Sequence, residues 1–177
     1  FIITILGYGT ISKLIVKKLI YMGFKVQVWS NKKRNPKNID YYYGYDGFHK
    51  SLKNTSCLIS LLPSTSATQN LLGLTEFNLL NKDCYFINAG RGLTVNEEEL
   101  IYALKNKILI GAILDVFTKE PLDADNPLWA LDNVYITPHI AGITNATDYA
   151  SKLLRNNFEL LYKNKKLINK VSKTKGY

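Results

Sequence analysis

Two cysteines, two histidines and one methionine are all that these 177 residues contain of those types, and the scarcity removes options. Cys57 in "SCLISLL" and Cys84 in "DCYFINA" are too few to staple a chain this long, and each sits in an apolar run where a reduced thiol behaves as a small hydrophobe. A reducing, cytoplasmic setting is therefore expected. No apolar run reaches the ~18 residues of a membrane span, and the N-terminal "FIITILGYGT" is broken too soon by Gly7 and Gly9 to be a signal segment. Neither a membrane nor a metal is expected as a partner.

Acidic residues are also in deficit, 14 against 23 Lys and Arg, for a net charge of +9. Clustered Lys and Arg neutralise phosphates, so nucleic acid has to be considered. The distribution argues against it. Much of the excess lies in the tail "YKNKKLINKVSKTKGY", which has few aromatics for stacking bases, and a second cluster stands at Lys32, Lys33 and Arg34. A solvated basic surface accounts for both.

What is present is a 46% hydrophobic chain able to bury one sizeable core. Apolar runs that fit buried strands recur at Ile2–Leu6, Lys25–Trp29, Cys57–Leu62, Tyr85–Asn88, Ile110–Val116 and Val134–Thr137, with helical patterning between them. That alternation predicts an α/β fold, a doubly wound parallel sheet of Rossmann type. Ile11, Leu14, Ile15, Lys18 and Leu19 give the spacing of a one-sided helix that ends at Gly23. Asn96 reads as the N-cap of "EEELIYALKNK", whose three glutamates suit the positive end of the helix dipole. A last helix is expected from about Asn145 to Tyr162, with Tyr149, Leu153, Leu154, Phe158 and Leu161 on one stripe.

"ILGYGTIS" sets Gly7-x-Gly9-x-x-Ser12 between the first strand and the first helix. Gly7 permits the tight turn, and Gly9 lets a pyrophosphate approach the backbone. Thr10 and Ile11 open a helix whose N–H groups and dipole attract the phosphates. Ser12 takes the third small-residue position. The motif is weak alone and stronger at the head of a βαβ unit.

An NAD site wants Asp or Glu about twenty residues further on, for the ribose 2′-hydroxyl. The second strand ends instead as "VQVWSNKKR". Trp29, Ser30, Asn31 and Lys32 form that strand end; Ser30 and Asn31 can donate hydrogen bonds, and Lys32, Lys33 or Arg34 can pair with a 2′-phosphate. NADP(H) is therefore expected in preference to NAD.

Four later segments begin at or just after predicted strand ends, where open α/β sheets place ligands: "LLPSTSAT", "INAGRG", "LDVFTKEPL" and "NPLWALDNVYITPHIAG". Arg91 follows the small pair Ala89 and Gly90, Glu120 stands five residues after Asp115, and His139 follows the last strand. An arginine, a glutamate and a histidine on one edge suit reduction of a small 2-oxo acid. The guanidinium holds the carboxylate or polarises the carbonyl, the imidazolium gives up a proton, and a carboxylate on its far nitrogen orients it. Taken singly, each has a plain alternative: a surface cation, a loop acid, a strand-end histidine. His49, in "GFHKSL", shares no motif and reads as a surface residue.

In this order the segments resemble the D-isomer-specific 2-hydroxyacid dehydrogenases, and within them the glyoxylate/hydroxypyruvate reductase branch, over about Ile2 to Phe158. The resemblance implies a catalytic trio of Arg91, Glu120 and His139, with Asp115 at the nicotinamide carboxamide and Leu62, Pro63 and Thr68 along the cofactor. Ala89, Gly90, Arg91, His139 and Gly142 complete the cofactor side. It also implies a homodimer formed through the cofactor domain. Family members carry an N-terminal half that makes most of the substrate domain, and nothing in this sequence matches it. The division expected is a dinucleotide-binding domain over residues 1–143 and a helix with a basic tail over 144–177 that returns to the substrate domain. On that view the chain is a fragment; a non-catalytic nucleotide-sensing or interaction module is the alternative.

Overall fold

The computed structural model describes residues 1–142 and 146–172. Two compact units divide it, 1–139 and 140–177. The expected domain boundary at 143/144 and the expected helix start at Asn145 lie outside the described residues.

The first unit is built on β1 (Ile2–Leu6), α1 (Thr10–Tyr21), β2 (Lys25–Ser30), β3 (Asp40–Tyr43), α2 (Gly44–Leu52), β4 (Cys57–Ser60), α3 (Leu74–Phe77), β5 (Tyr85–Asn88), α4 (Glu97–Lys105), β6 (Gly111–Leu114) and β7 (Val134–Ile136). All seven strands pair in parallel, in the order β3-β2-β1-β4-β5-β6-β7. This is the doubly wound sheet of the Rossmann type. The chain order reverses at β1, so the carboxyl ends of β1 and β4 form the switch point where such sheets bind ligands.

Strand residues alternate between two cores. Ile3, Ile5, Val26, Val28 and Cys57 face one side, where Val16 of α1 covers them. Leu6, Trp29, Leu58, Phe86, Ala112 and Leu114 face the other, against Phe48 and Leu52 of α2 and Leu100, Ala103 and Leu104 of α4. Each fully buried Leu or Phe stabilises by about 1.5–3 kcal/mol. Burial pushes the Cys57 thiol up to about 11; burial, with Cys57 beside it, pushes Cys84 to about 12 against a smaller opposing hydrogen bond with the backbone of Leu58. Both stay protonated at neutral pH and act as core hydrophobes.

The helix ends hold, but the expected face of α1 needs correction: Ser12 and Val16 are buried against the sheet, Ile15 and Leu19 are half-buried, and Ile11, Leu14 and Lys18 are exposed. Gly23 ends α1 at φ 86°, its N–H donating to Ile20 O. The Asn96 side chain caps α4, accepting from Glu99 N at 3.3 Å. Four strand readings need correction at their ends. β2 includes Ser30; β4 stops at Ser60 and β7 at Ile136, and β6 covers only Gly111–Leu114. Leu61 and Asp115 still donate to Leu6 O and Asn88 O just past the strand ends, while Leu62 and Val116 are buried where the loops pack over the edge. β3 was not anticipated. Its "DYYY" is a four-residue edge strand, and the turn-rich "NPKNI" before it hides the periodicity.

The second unit holds α5 (Ala146–Tyr162), followed by a segment tied back by Asn157, whose side chain accepts from Ile168 N at 2.8 Å and donates to Ile168 O at 3.1 Å. Leu154, Phe158 and Leu161 are exposed on it. Among the described residues no helix is long and apolar enough to cross a membrane, and no group of His, Cys, Asp and Glu could hold a metal ion.

Candidate active site

Trp29, Leu6, Ser60, Asn88, Leu114 and Ile136 stand in register across the sheet. One residue beyond each, the strands give way to the loops that carry the expected site. Parallel pairing alone thus gathers Gly7, Ser30, Leu61, Ala89, Asp115 and Thr137 onto one edge, with Asn31 and Leu62 one residue further out.

At the switch point the loops are close. Gly7 adopts φ 95° and donates to Trp29 O at 2.8 Å; a Cβ there would meet Leu61 O at 3.2 Å. Gly90 is tighter, since a Cβ would lie 2.7 Å from Leu62 O and 2.8 Å from Leu62 N. Above Gly9, by contrast, a Cβ would meet nothing within 4 Å. No side chain caps α1, no acidic residue occupies its first turn, and Thr10 and Ile11 are exposed. An open helix N-terminus beneath a two-glycine loop fits a pyrophosphate. Thr68 stiffens the neighbouring loop by donating to Pro63 O at 2.6 Å and accepting from Thr65 N at 2.9 Å.

The end of β2 is basic and exposed at Asn31, Lys32, Lys33 and Arg34. The Arg34 guanidinium lies 5.8 Å and Lys13 Nζ 5.6 Å from the centre of the Tyr8 ring. Trp29 differs from its neighbours: its indole is buried against Phe48 and donates to Gly44 O at 2.9 Å. Only its main chain is left to face a ligand.

At the other end of the edge, His139 Nδ1 is 2.6 Å from Glu120 Oε2, while Glu120 Oε1 accepts the Phe117 N–H at 2.9 Å. Partial desolvation pushes the Glu120 carboxyl up, but the hydrogen bonds from His139 and Phe117 and the charges of His139 and Arg91 outweigh it and hold it below the ordinary value. The charges of Arg91 and His139 thus both act on the Glu120 carboxyl. With Nδ1 paired to the carboxylate, Nε2 is the nitrogen left for a substrate. His139 is held at φ 55°, with its N–H on Thr137 O at 3.0 Å, a conformation that costs a non-glycine residue of the order of 1 kcal/mol.

Asp115 is buried and accepts from Thr137 Oγ1 at 2.5 Å. Gly142 is exposed in the second unit. His49 is a correction: it is half-buried on α2, 3.5 Å from Glu76 Oε1, because Tyr45 and Phe48 pack against its ring.

Three supporting residues escaped the sequence reading. Asn88 accepts from Gly90 N at 3.1 Å and so shapes the turn that carries Arg91. Thr137 fixes Asp115. Gly92 is needed for space, since a Cβ there would fall 1.9 Å from the carbonyl of Phe117. Their positions at strand ends beside the motifs were the available signal.

Fold and edge together are those of a dinucleotide-binding domain, with a paired Glu120 and His139 on the same edge. Residues 2–141 match the family described as D-isomer specific 2-hydroxyacid dehydrogenase, NAD binding domain. The chain belongs to that family. It is 34% identical over 180 residues to a glyoxylate/hydroxypyruvate reductase A of Escherichia fergusonii, and 36% identical over 177 residues to the Enterobacter protein of that name; each match covers 100% of this chain and 56% of the relative. The chain thus spans little more than half the length of these curated relatives. Among solved structures, a D-isomer specific 2-hydroxyacid dehydrogenase from Xanthobacter autotrophicus, in complex with NADPH and MES, superposes with a TM-score of 0.95 at 30% identity, over 100% of this chain and 73% of that one. The NADPH-dependent glyoxylate/hydroxypyruvate reductase from Sinorhizobium meliloti, in complex with NADP and sulfate, gives 0.93 at 32% identity, over 99% and 57%.

Proposed function

We propose that this chain is the cofactor-binding and catalytic portion of an NADPH-dependent reductase of small 2-oxo acids, of the glyoxylate or hydroxypyruvate type. The Glu120–His139 pair carries the reading, because it sets an imidazole braced at Nδ1 by a carboxylate on the same sheet edge as the dinucleotide loop. NADPH supplies the hydride. Arg91 holds the carboxylate of the 2-oxo acid, and His139 Nε2 donates its proton to the carbonyl oxygen as that oxygen gains charge. Glu120 keeps Nδ1 engaged and stabilises the imidazolium, while Phe117 N–H fixes the carboxylate. Asp115, pinned by Thr137, lines the nicotinamide end, and Gly7, Gly9, Thr10 and Ile11 receive the pyrophosphate. Leu62, Pro63, Thr68, Ala89 and Gly90 flank the cofactor. The missing carboxylate after Trp29 and the cations at Lys32 to Arg34 support NADP over NAD. Residues beyond the cofactor domain serve a substrate domain in this reading. The protein works as a homodimer in the cytoplasm.

Reduction of glyoxylate and hydroxypyruvate with NADPH, measured on the full-length protein, tests this. His139→Gln is expected to lower turnover by about 10²–10⁴ with NADPH affinity retained. Wild-type-like turnover in that variant would remove the histidine from the chemistry. NADPH binding without turnover of any 2-oxo acid would favour a nucleotide-sensing module.

A further inference from the structure

The adenosine end of the site contains a residue that neither the glycine loop nor the basic turn accounts for. Tyr41 lies on β3, two strands out from β1, and pairs in register with Val28. Its hydroxyl donates to Lys32 O at 2.5 Å and shares a hydrogen bond with Ser30 Oγ, also at 2.5 Å; Ser30 Oγ lies 3.2 Å from the same carbonyl. Three oxygens from Ser30, Lys32 and Tyr41 thus close a triangle around the turn that follows β2. The other face of the phenol packs edge-on against Tyr8, the residue between the two loop glycines, with ring centres 5.7 Å apart. Tyr8 in turn has the cations of Lys13 and Arg34 beside its ring. Tyr8 and Tyr41 both rest on the apolar core beneath β1 and β2.

We propose that Tyr41 is the positioning residue that makes this turn selective for a phosphate on the adenosine ribose, and so sets the preference for NADPH over NADH. The inference rests on the NADPH reading above. A turn of exposed polar residues would otherwise sample many conformations, each paying ordering entropy when the phosphate arrives. Tyr41 removes part of that cost in advance. It holds Lys32 O away from the incoming anion by giving it a donor, and its oxygen accepts from the Ser30 hydroxyl, so that the Ser30 and Lys32 ends of the turn are fixed before a phosphate arrives. Through Tyr8, the same ring fixes where Arg34 and Lys13 stand relative to the glycine loop. An unphosphorylated ribose uses none of these contacts. Tyr41 therefore acts on the difference between the two cofactors rather than on dinucleotide binding as such.

Tyr41→Phe keeps the ring, its core packing and its contact with Tyr8, and deletes only the hydroxyl. Affinities for NADPH, NADH, adenosine 2′,5′-bisphosphate and 5′-AMP are measured by titration calorimetry on the wild-type chain and the variant. One hydrogen bond lost from the support of a charged ligand is expected to weaken NADPH and the bisphosphate about tenfold, with NADH and 5′-AMP changed by less than about twofold. Equal losses for all four ligands, or no loss for any, would overturn the proposal. A wild-type chain that binds NADH as tightly as NADPH would overturn the NADPH reading and this inference with it; a clear wild-type preference that Tyr41→Phe leaves intact would overturn this inference alone. Ser30→Ala provides an independent variant: it is expected to reduce the same NADPH to NADH ratio, and combined with Tyr41→Phe it should add little, since both act through one triangle.

Discussion

Glu120 shows how a single carboxylate can be kept charged on an exposed edge. Two hydrogen bonds and two cations oppose its partial desolvation, and the balance lowers its proton affinity in the folded state. A group whose folded value lies below its unfolded one stabilises the fold at pH above the unfolded value and loses that contribution as pH falls through the folded value. Glu120→Gln is therefore expected to melt lower than wild type at pH above the ordinary glutamate range near ~4.3. Below that the two melting curves should converge. With a third to a half of each side chain of the pair accessible, solvent screening limits the margin to about 1 kcal/mol or less. Melting temperatures of the two proteins across that pH range check it, and a margin that persists undiminished as pH falls well below that range would contradict the assignment. Turnover should fall far more than stability, because the imidazole loses the partner that orients it, while the left-handed backbone at His139 remains.

At the scale of elements, the edge proposed to carry the chemistry depends on two loops that touch. The turn after β5 carries Arg91 and the turn after β6 leads to Glu120, and they meet where Gly92 lies against the Phe117 carbonyl. Gly92→Ala has no room for its methyl group unless one backbone moves. It is expected to destabilise the fold by about 3 kcal/mol and to reduce turnover more than NADPH affinity, because the loops part between Arg91 and Glu120. Urea unfolding and cofactor titration would separate the two effects; an unchanged midpoint would show that the loops can yield freely. This contact was invisible in the sequence, where Gly92 carries no signal beyond standing next to Arg91. The glycine loop, the Asn96 cap, and the strand ends bearing Arg91, Glu120 and His139 were legible because each rests on local chemistry or on a short motif. Tyr41 was not, since its meaning depends on β3 pairing beside β2, and "NPKNID" offers no period that forecasts a strand. The same reason hid the partial burial of His49, which comes from α2 packing and from Glu76 on a different element. Strand ends ran long where buried loop residues such as Leu62 and Val116 continued an apolar run past the last ladder bond.

On the scale of the whole sheet, the expected cofactor residues come from both sides of the switch point: β1, α1 and β2 on one, and the ends of β4, β5, β6 and β7 on the other. A ligand that touches both halves binds the folded unit and has almost nothing to bind in the unfolded chain, so it stabilises by mass action. NADPH at a hundred times its dissociation constant contributes about 2.7 kcal/mol, which for a chain of this size corresponds to a rise of roughly 5–10 °C in melting temperature. If the 2′-phosphate adds a tenfold preference, NADH at the same concentration contributes about 1.4 kcal/mol and raises the melting temperature roughly half as far. Both halves share one parallel sheet with unbroken pairing from β3 to β7. The rise should accordingly appear in a single transition of residues 1–139, not as a shift of one half that leaves the other melting earlier. Scanning calorimetry with each cofactor at matched concentration makes the comparison. A transition that splits on adding NADPH would mean that the ligand holds only the β1–β2 half, and that the Arg91, Glu120 and His139 edge is reached without the nicotinamide in place.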